Sequence, residues 1–180
     1  SGLLIVAQIG HEAAPVVYPH AAAANNTNIK VIPGAKFRIR AAIIRNTADT
    51  LSYAPKWYAS LNSGAYFAAP DAFTSNNIRF LGTSDSSTDI PNQATVTTNL
   101  LGAVGAGSFV AGAIVRTAST IPAVSLAPTN WVEIEGVFEL DTDVSAGDTY
   151  DFRLYTDAGV ALDTYTVTPR ATVIGYQAGF

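Results

Sequence analysis

Three stretches of the chain alternate apolar and polar residues with the period of two that marks a strand with one buried face. In KFRIRAAIIR, Phe37, Ile39, Ala41 and Ile43 fall on one face, and Lys36, Arg38 and Arg40 on the other. In WVEIEGVFEL, Val132, Ile134, Phe138 and Leu140 point one way, and Trp131, Glu133, Glu135 and Glu139 the other. In DTYDFRLYTDAGVALDTYTVTP, Tyr150, Phe152 and Leu154 alternate with Asp151, Arg153 and Tyr155, Asp157 to Gly159 supply a turn, and Tyr165, Val167 and Ala171 mark the return. The basic face of the first strand is expected to be solvated or paired. The acidic face of the second suits a place beside it, opposite charges across paired strands each contributing about 0.2–1 kcal/mol.

Weaker signals fill the intervals. KWYASLNSGAYFAAP predicts two short aromatic strands around an Asn62-Ser63-Gly64 turn. Residues 76–93 are read as polar loop, with TSDSSTDIPNQ its clearest part. ATVTTNLLGAVGAGSFVAGAIVRTAST, with Gly102, Gly105, Gly107 and Gly112 in an apolar setting, reads as short or bulged strands. No Lys-Ser or Lys-Thr pair follows those glycines, so the phosphate-loop pattern is incomplete. About eight to ten strands and no helical period predict an all-β fold, an antiparallel β-sandwich of jelly-roll or immunoglobulin-like type. Residues 1–28 differ: SGLLIVAQIG is apolar, and the Ala-rich stretch after it is broken by Pro15 and Pro19. They are read as an extended N-terminal arm, with residues 29–180 as the sandwich domain.

Composition narrows the functions. At 180 residues the chain is long enough for one core without a metal or disulfide. With no cysteine there is no thiolate site, and a net charge of −4 with no basic stripe argues against nucleic-acid binding. Apolar runs such as LLIVA and FVAGAIV fall far short of the roughly 18 residues of a spanning helix, so no membrane partner is expected.

Candidate chemistry is thin. His11 and His20 both lie in the arm, and HEAAP lacks the second histidine of a zinc-protease helix. No Gly-x-Ser-x-Gly elbow occurs. DTDVSAGD brings Asp141, Asp143 and Asp148 close in sequence as a weak candidate calcium loop, but it lacks the glycine and bidentate glutamate of the helix-loop-helix motif, and a solvated turn is the preferred reading. Glu133 with Glu135 share a strand face but need a cleft to act as acid and base. Trp57, Tyr58, Tyr66, Trp131 and Tyr155 are a candidate stacking platform for a glycan. Asn25-Asn26-Thr27 is a glycosylation sequon, meaningful only in a secreted chain. No catalytic residue, metal or cofactor is assigned.

The order GAKFRIRAAIIRNTAD, WYASLNSGAYFAAP, GSFVAGAIV and WVEIEGVFELDTDVSAGDTYDFRLYTDAGVALDTYTVTPRATV resembles a family of β-sandwich domains found in structural proteins of tailed-phage virions and in some secreted bacterial proteins. The resemblance covers about residues 36–173 and leaves the arm outside. It implies a scaffold and a context, and it transfers no catalytic residue. The resulting expectation is a non-enzymatic virion structural protein at the virion surface, a capsid decoration or cement subunit partnered by itself and by a major shell protein. The alternatives are an extracellular filament or sheath subunit assembled by strand donation, and a carbohydrate- or receptor-binding module. The expected assembly contacts are Leu3, Leu4, Ile5 and Val6 with Val16, Val17 and Tyr18 in the arm, and Tyr176 and Phe180 at the C-terminal end.

Overall fold

The computed structural model describes residues 3–8, 28–45, 51–82, 92–97, 99, 101, 106–118, 121, 123–162 and 168–175; at 3–8, 51 and 53 it describes the backbone alone. Val16, Val17, Tyr18, Tyr176 and Phe180 lie outside these residues, as do His11, His20, the sequon, Tyr165 and Val167.

The described chain is all-β. Its strands are β1 (Leu3–Gln8), β2 (Ile29–Val31), β3 (Lys36–Arg45), β4 (Leu51–Tyr53), β5 (Lys56–Leu61), β6 (Phe67–Ala68) and β7 (Ile78–Phe80). Then come β8 (Thr95–Val96), β9 (Phe109–Val110), β10 (Gly112–Val115), β11 (Val124–Leu126), β12 (Trp131–Leu140), β13 (Thr149–Tyr155) and β14 (Arg170–Val173). One sheet runs β1-β3-β12-β10-β8, with β7 and β9 also paired to β12; a second runs β2-β14-β13-β5-β6; β4 and β11 pair separately.

The two long alternating segments are direct neighbours. β12 runs antiparallel to β3 from Trp131↔Ile44 to Glu139↔Lys36. The other edge of β12 is divided among three short strands: β9 at Trp131 and Val132, β10 at Glu135 and Gly136, and β7 at Phe138 to Leu140. β7 lies inside the stretch read as polar loop; Ile78 and Phe80 are its buried positions, three residues being too few to stand out from a polar background.

The alternation predicts antiparallel pairing, yet β9 and β10 run parallel to β12, and β14 runs parallel to β2. Parallel neighbours need a long crossover. Residues 116–130, which include β11, supply it between β10 and β12. Close approach makes room for one residue type only: a Cβ at Gly112 would fall inside the Glu133 carbonyl.

The sheets meet face to face over a single apolar core. Phe37, Ile39, Ala41, Ile43, Val132, Ile134, Phe138 and Leu140 come from the first sheet, and Trp57, Ala59, Tyr150, Phe152, Leu154, Ala171 and Val173 from the second. Phe138 touches Trp57 edge-on at 6.0 Å and Phe152 at 5.0 Å, and Phe37 meets Phe152 at 5.9 Å, so aromatic contacts span the layers. Such contacts typically add about 0.5–1.5 kcal/mol beyond the area they bury.

The Asn62-Ser63-Gly64 hairpin is present, and of the second expected hairpin the described residues show the outgoing strand, the turn and the end of the return at Ala171. β13 pairs with β14 through Tyr150↔Ala171, and the turn is closed by Gly159, whose N–H donates to Thr156. β5 pairs with β6, and Asn62 and Ser63 both have positive φ (50° and 61°), the backbone of a tight two-residue turn whose Gly64 N–H donates to the Leu61 carbonyl.

Candidate functional site: an edge strand and a buried charge cluster

β1 lies on the free edge of β3. Six consecutive positions pair antiparallel, from Leu3↔Arg45 to Gln8↔Arg40. The proposed contacts Leu3, Leu4, Ile5 and Val6 are thus placed on the first sheet of their own chain, held through backbone pairing. β2, next in sequence, belongs to the other sheet, and twenty residues (9–28) separate the two strands. β3 itself is buried on both faces from Phe37 to Arg45.

The basic face of β3, expected to be solvated or paired, is paired, and the acidic face of β12 lies beside it as its charge suggested; what the alternation does not show is the depth of burial. Arg38, Arg40, Glu133 and Glu135, read as facing out, are buried rather than solvated. The register brings Arg40 directly opposite Glu135 and one step diagonal from Glu133. Arg40 Nε and Nη2 both donate to Glu135 Oε2, at 3.0 and 2.7 Å, and Nη1 donates to Glu133 Oε2 at 3.0 Å. Arg38 Nη1 stands 3.2 Å from Glu135 Oε1, and the Leu101 N–H donates to Glu133 Oε1 at 2.9 Å. Leu81, Val96, Ile114 and Val137 pack as a second apolar cluster, supported by Ala94 and Phe109. Charges are buried here because each is answered by an opposite charge or a backbone donor.

This cluster defines a register. Moving ions out of water costs several kcal/mol each, which the mutual attraction roughly repays, so the intact cluster contributes little net stability. A slip of one position along β12 would turn these charges toward the apolar core. Chemically, Glu133 and Glu135 have no exposed side-chain surface and are engaged by arginine, so neither presents an oxygen to a ligand. The partly exposed Arg79–Glu139 pair lies on the same sheet, with two hydrogen bonds of 2.9 and 2.7 Å.

The proposed aromatic platform divides. Trp57 and Trp131 are 2% and 5% exposed, so both leave the platform for the interior. Tyr58, Tyr66 and Tyr155 do come together on the outer side of the second sheet. Tyr58 stacks on Tyr155 with centroids 4.1 Å apart, Tyr66 lies 6.0 Å from Tyr155, and the Arg153 guanidinium sits 4.5 Å over the Tyr66 ring. The rings spend these faces on one another instead of forming one flat surface. Burial raises the Tyr66 phenol above its ordinary pKa, reinforced by Asp151 and Tyr155 and opposed by Arg153 and Thr168.

The aspartates of the 141–148 turn serve the turn itself. Asp148 accepts from the Ser145 N–H at 2.9 Å and from Asn62 Nδ2 at 2.9 Å, tying two hairpin ends together. Asp141 accepts from the Thr142 hydroxyl at 3.3 Å. Among the described residues no three His, Cys, Asp or Glu side chains are grouped to hold a metal ion. Two shallow clefts, of about 370 and 320 Å³, are lined by neither carboxylate nor imidazole.

The architecture places the chain in the class of all-β, two-sheet proteins. No family model and no curated protein matches it. Among solved structures, a family 123 glycoside hydrolase from Clostridium perfringens, reported in a study of glycolipid glycan hydrolysis, aligns with 85% of this chain at 9% identity and a TM-score of 0.42. The chain spans 23% of that protein's length, and a likeness this distant decides nothing about activity.

Proposed function

We propose that the chain is a non-enzymatic structural subunit that decorates the surface of a phage shell, held by many modest contacts to its own copies and to a major shell protein. The observation that carries this reading is β1, an apolar strand that adds to a sheet edge through its backbone and is joined to the body by twenty residues. Strand addition takes its affinity from main-chain hydrogen bonds, which suits a repeated anchor. An interface of about 800 Å² per partner, repeated over a lattice, gains strength through multivalency. The alternative of an extracellular filament rests on the same strand and differs in the symmetry of the product.

The test is cryo-electron microscopy of the native particles, paired with deletion of residues 1–18. An icosahedral shell carrying the chain, and loss of the deleted form from particles while its body still folds, are the expected results. A helical fibre would replace decoration by the filament reading. A deleted chain that still incorporates fully would remove the anchor role.

A further inference from the structure

We infer that β1 is an exchangeable strand: it closes on its own β3 in the dilute chain and on the β3 of a second copy once copies are held side by side. The inference rests on the assembly reading above and names the partner at that edge.

The slot must always be filled. β3 is buried on both faces, and without β1 its edge would present a row of unpaired N–H and C=O groups on an apolar strand, a template for aggregation. The pairing itself does not distinguish the two sources of the strand. Leu3↔Arg45 through Gln8↔Arg40 form the same ladder whichever copy donates it.

The connection permits both. Twenty residues separate β1 from β2, and at about 3.3–3.6 Å per residue they span at most about 70 Å. A compact chain of this length is about 40 Å across. β1 can therefore reach an adjacent copy.

With equal contacts, concentration decides. A tether of this length holds its own strand at an effective concentration on the order of mM. Copies packed at about 40 Å spacing stand at roughly tens of mM with respect to one another. The strand therefore stays home in dilute solution and is shared in a lattice, linking copies without any new surface.

The chain contains no cysteine, which makes the test clean. Val6 and Ala42 are register partners. Directly opposed antiparallel positions lie about 4.5–5.5 Å apart, within the roughly 4.4–6.8 Å that a disulfide bridges. The double variant V6C/A42C, oxidised at about 1 μM, is expected to close within one chain, as read by peptide mapping. A mixture of the single variants V6C and A42C, exchanged before oxidation, reports only links between chains. Its 6–42 disulfide should be absent at about 1 μM, become comparable in the mM range and dominate at roughly tens of mM or in assembled particles. Particles that assemble while the mixed sample forms no 6–42 link would overturn exchange and leave the assembly reading intact. A 6–42 link in concentrated protein that never enters particles would instead refute the assembly reading and keep exchange. Failure of V6C/A42C and of a second register pair, L4C/I44C, to close in any sample would overturn the slot itself.

Discussion

Replacing Arg40 by methionine isolates what the buried charge cluster does. The substitution roughly keeps the side chain's length and removes at least three hydrogen bonds, two to Glu135 and one to Glu133, at a position with no exposed surface. Two carboxylates then stay buried with one positive charge fewer, Glu135 keeping Arg38 at 3.2 Å and Glu133 the Leu101 N–H at 2.9 Å. Breaking a buried pair in this way costs about 3–5 kcal/mol. A domain of this size has about 5–15 kcal/mol to lose. At about 2–4 °C per kcal/mol, the midpoint of thermal unfolding should fall by about 6–20 °C. The assay is urea and thermal unfolding followed by tryptophan fluorescence, for which buried Trp57 and Trp131 report on both sheets. The control is R79M, which breaks the Arg79–Glu139 pair where the side chains are 35% and 17% exposed. Solvent screening limits that loss to about 1 kcal/mol. Equal, small losses in R40M and R79M would refute the argument, because the charges of the cluster would then be no more costly to unpair than those of a surface pair.

Three further outcomes follow from the backbone and from one phenol. S63G should raise stability by about 0.5–1 kcal/mol in urea melts, since Ser63 holds a left-handed φ of 61° that glycine adopts without strain. G112A should lower it by about 3 kcal/mol or more, because the added methyl meets the Glu133 backbone and forces β10 away from β12; a thermal shift measures this. Tyr150 is held well above the ordinary tyrosine pKa by burial, with Asp148 and Asp141 adding, and its hydroxyl donates to the Asn76 carbonyl at 2.9 Å. The unfolded chain ionises this phenol near pH 10 while the folded chain keeps its proton, so stability is full below about pH 10 and falls above it at about 1.4 kcal/mol per pH unit. In Y150F that part of the alkaline slope should vanish, at a cost of about 1 kcal/mol at neutral pH.

The inner faces of the long strands were legible because alternation reports directly on burial. Phe37, Ile39, Ala41 and Ile43, and likewise Val132, Ile134, Phe138 and Leu140, occupy the core their spacing assigns. The charged outer faces were legible as partners, and β3 and β12 do pair them, but their burial was not legible, for a physical reason. A row of Arg and Glu looks the same whether its charges meet water or one another, and only the register of β3 against β12 decides. A local clue existed: Ala41 to Ile44 is apolar on both faces, which a half-solvated strand has no cause to be. Trp57 and Trp131 were assigned outward by their place in the alternation or by aromatic character alone. The parallel ladders of β9 and β10 rest on contacts across a crossover and leave no local mark in the sequence. The edge position of β1 was anticipated only as an apolar arm, since nothing within Leu3–Gln8 says which strand it will join.

The distance along the chain between Arg40 and its partners matters during synthesis. Glu133 and Glu135 lie 93 and 95 residues downstream. At about 5–20 residues per second, a ribosome takes roughly 5–20 s to deliver them after Arg40 emerges. Throughout that interval β3 is an apolar strand waiting for the neighbour that will occupy its longest edge. Arg38, Arg40 and Arg45 give every waiting strand the same sign of charge, so that two nascent copies repel at the segment most apt to pair. When β12 arrives, its glutamates cancel that repulsion and admit one partner. The same arginines that fix the register of the finished sheet act beforehand as its gatekeepers.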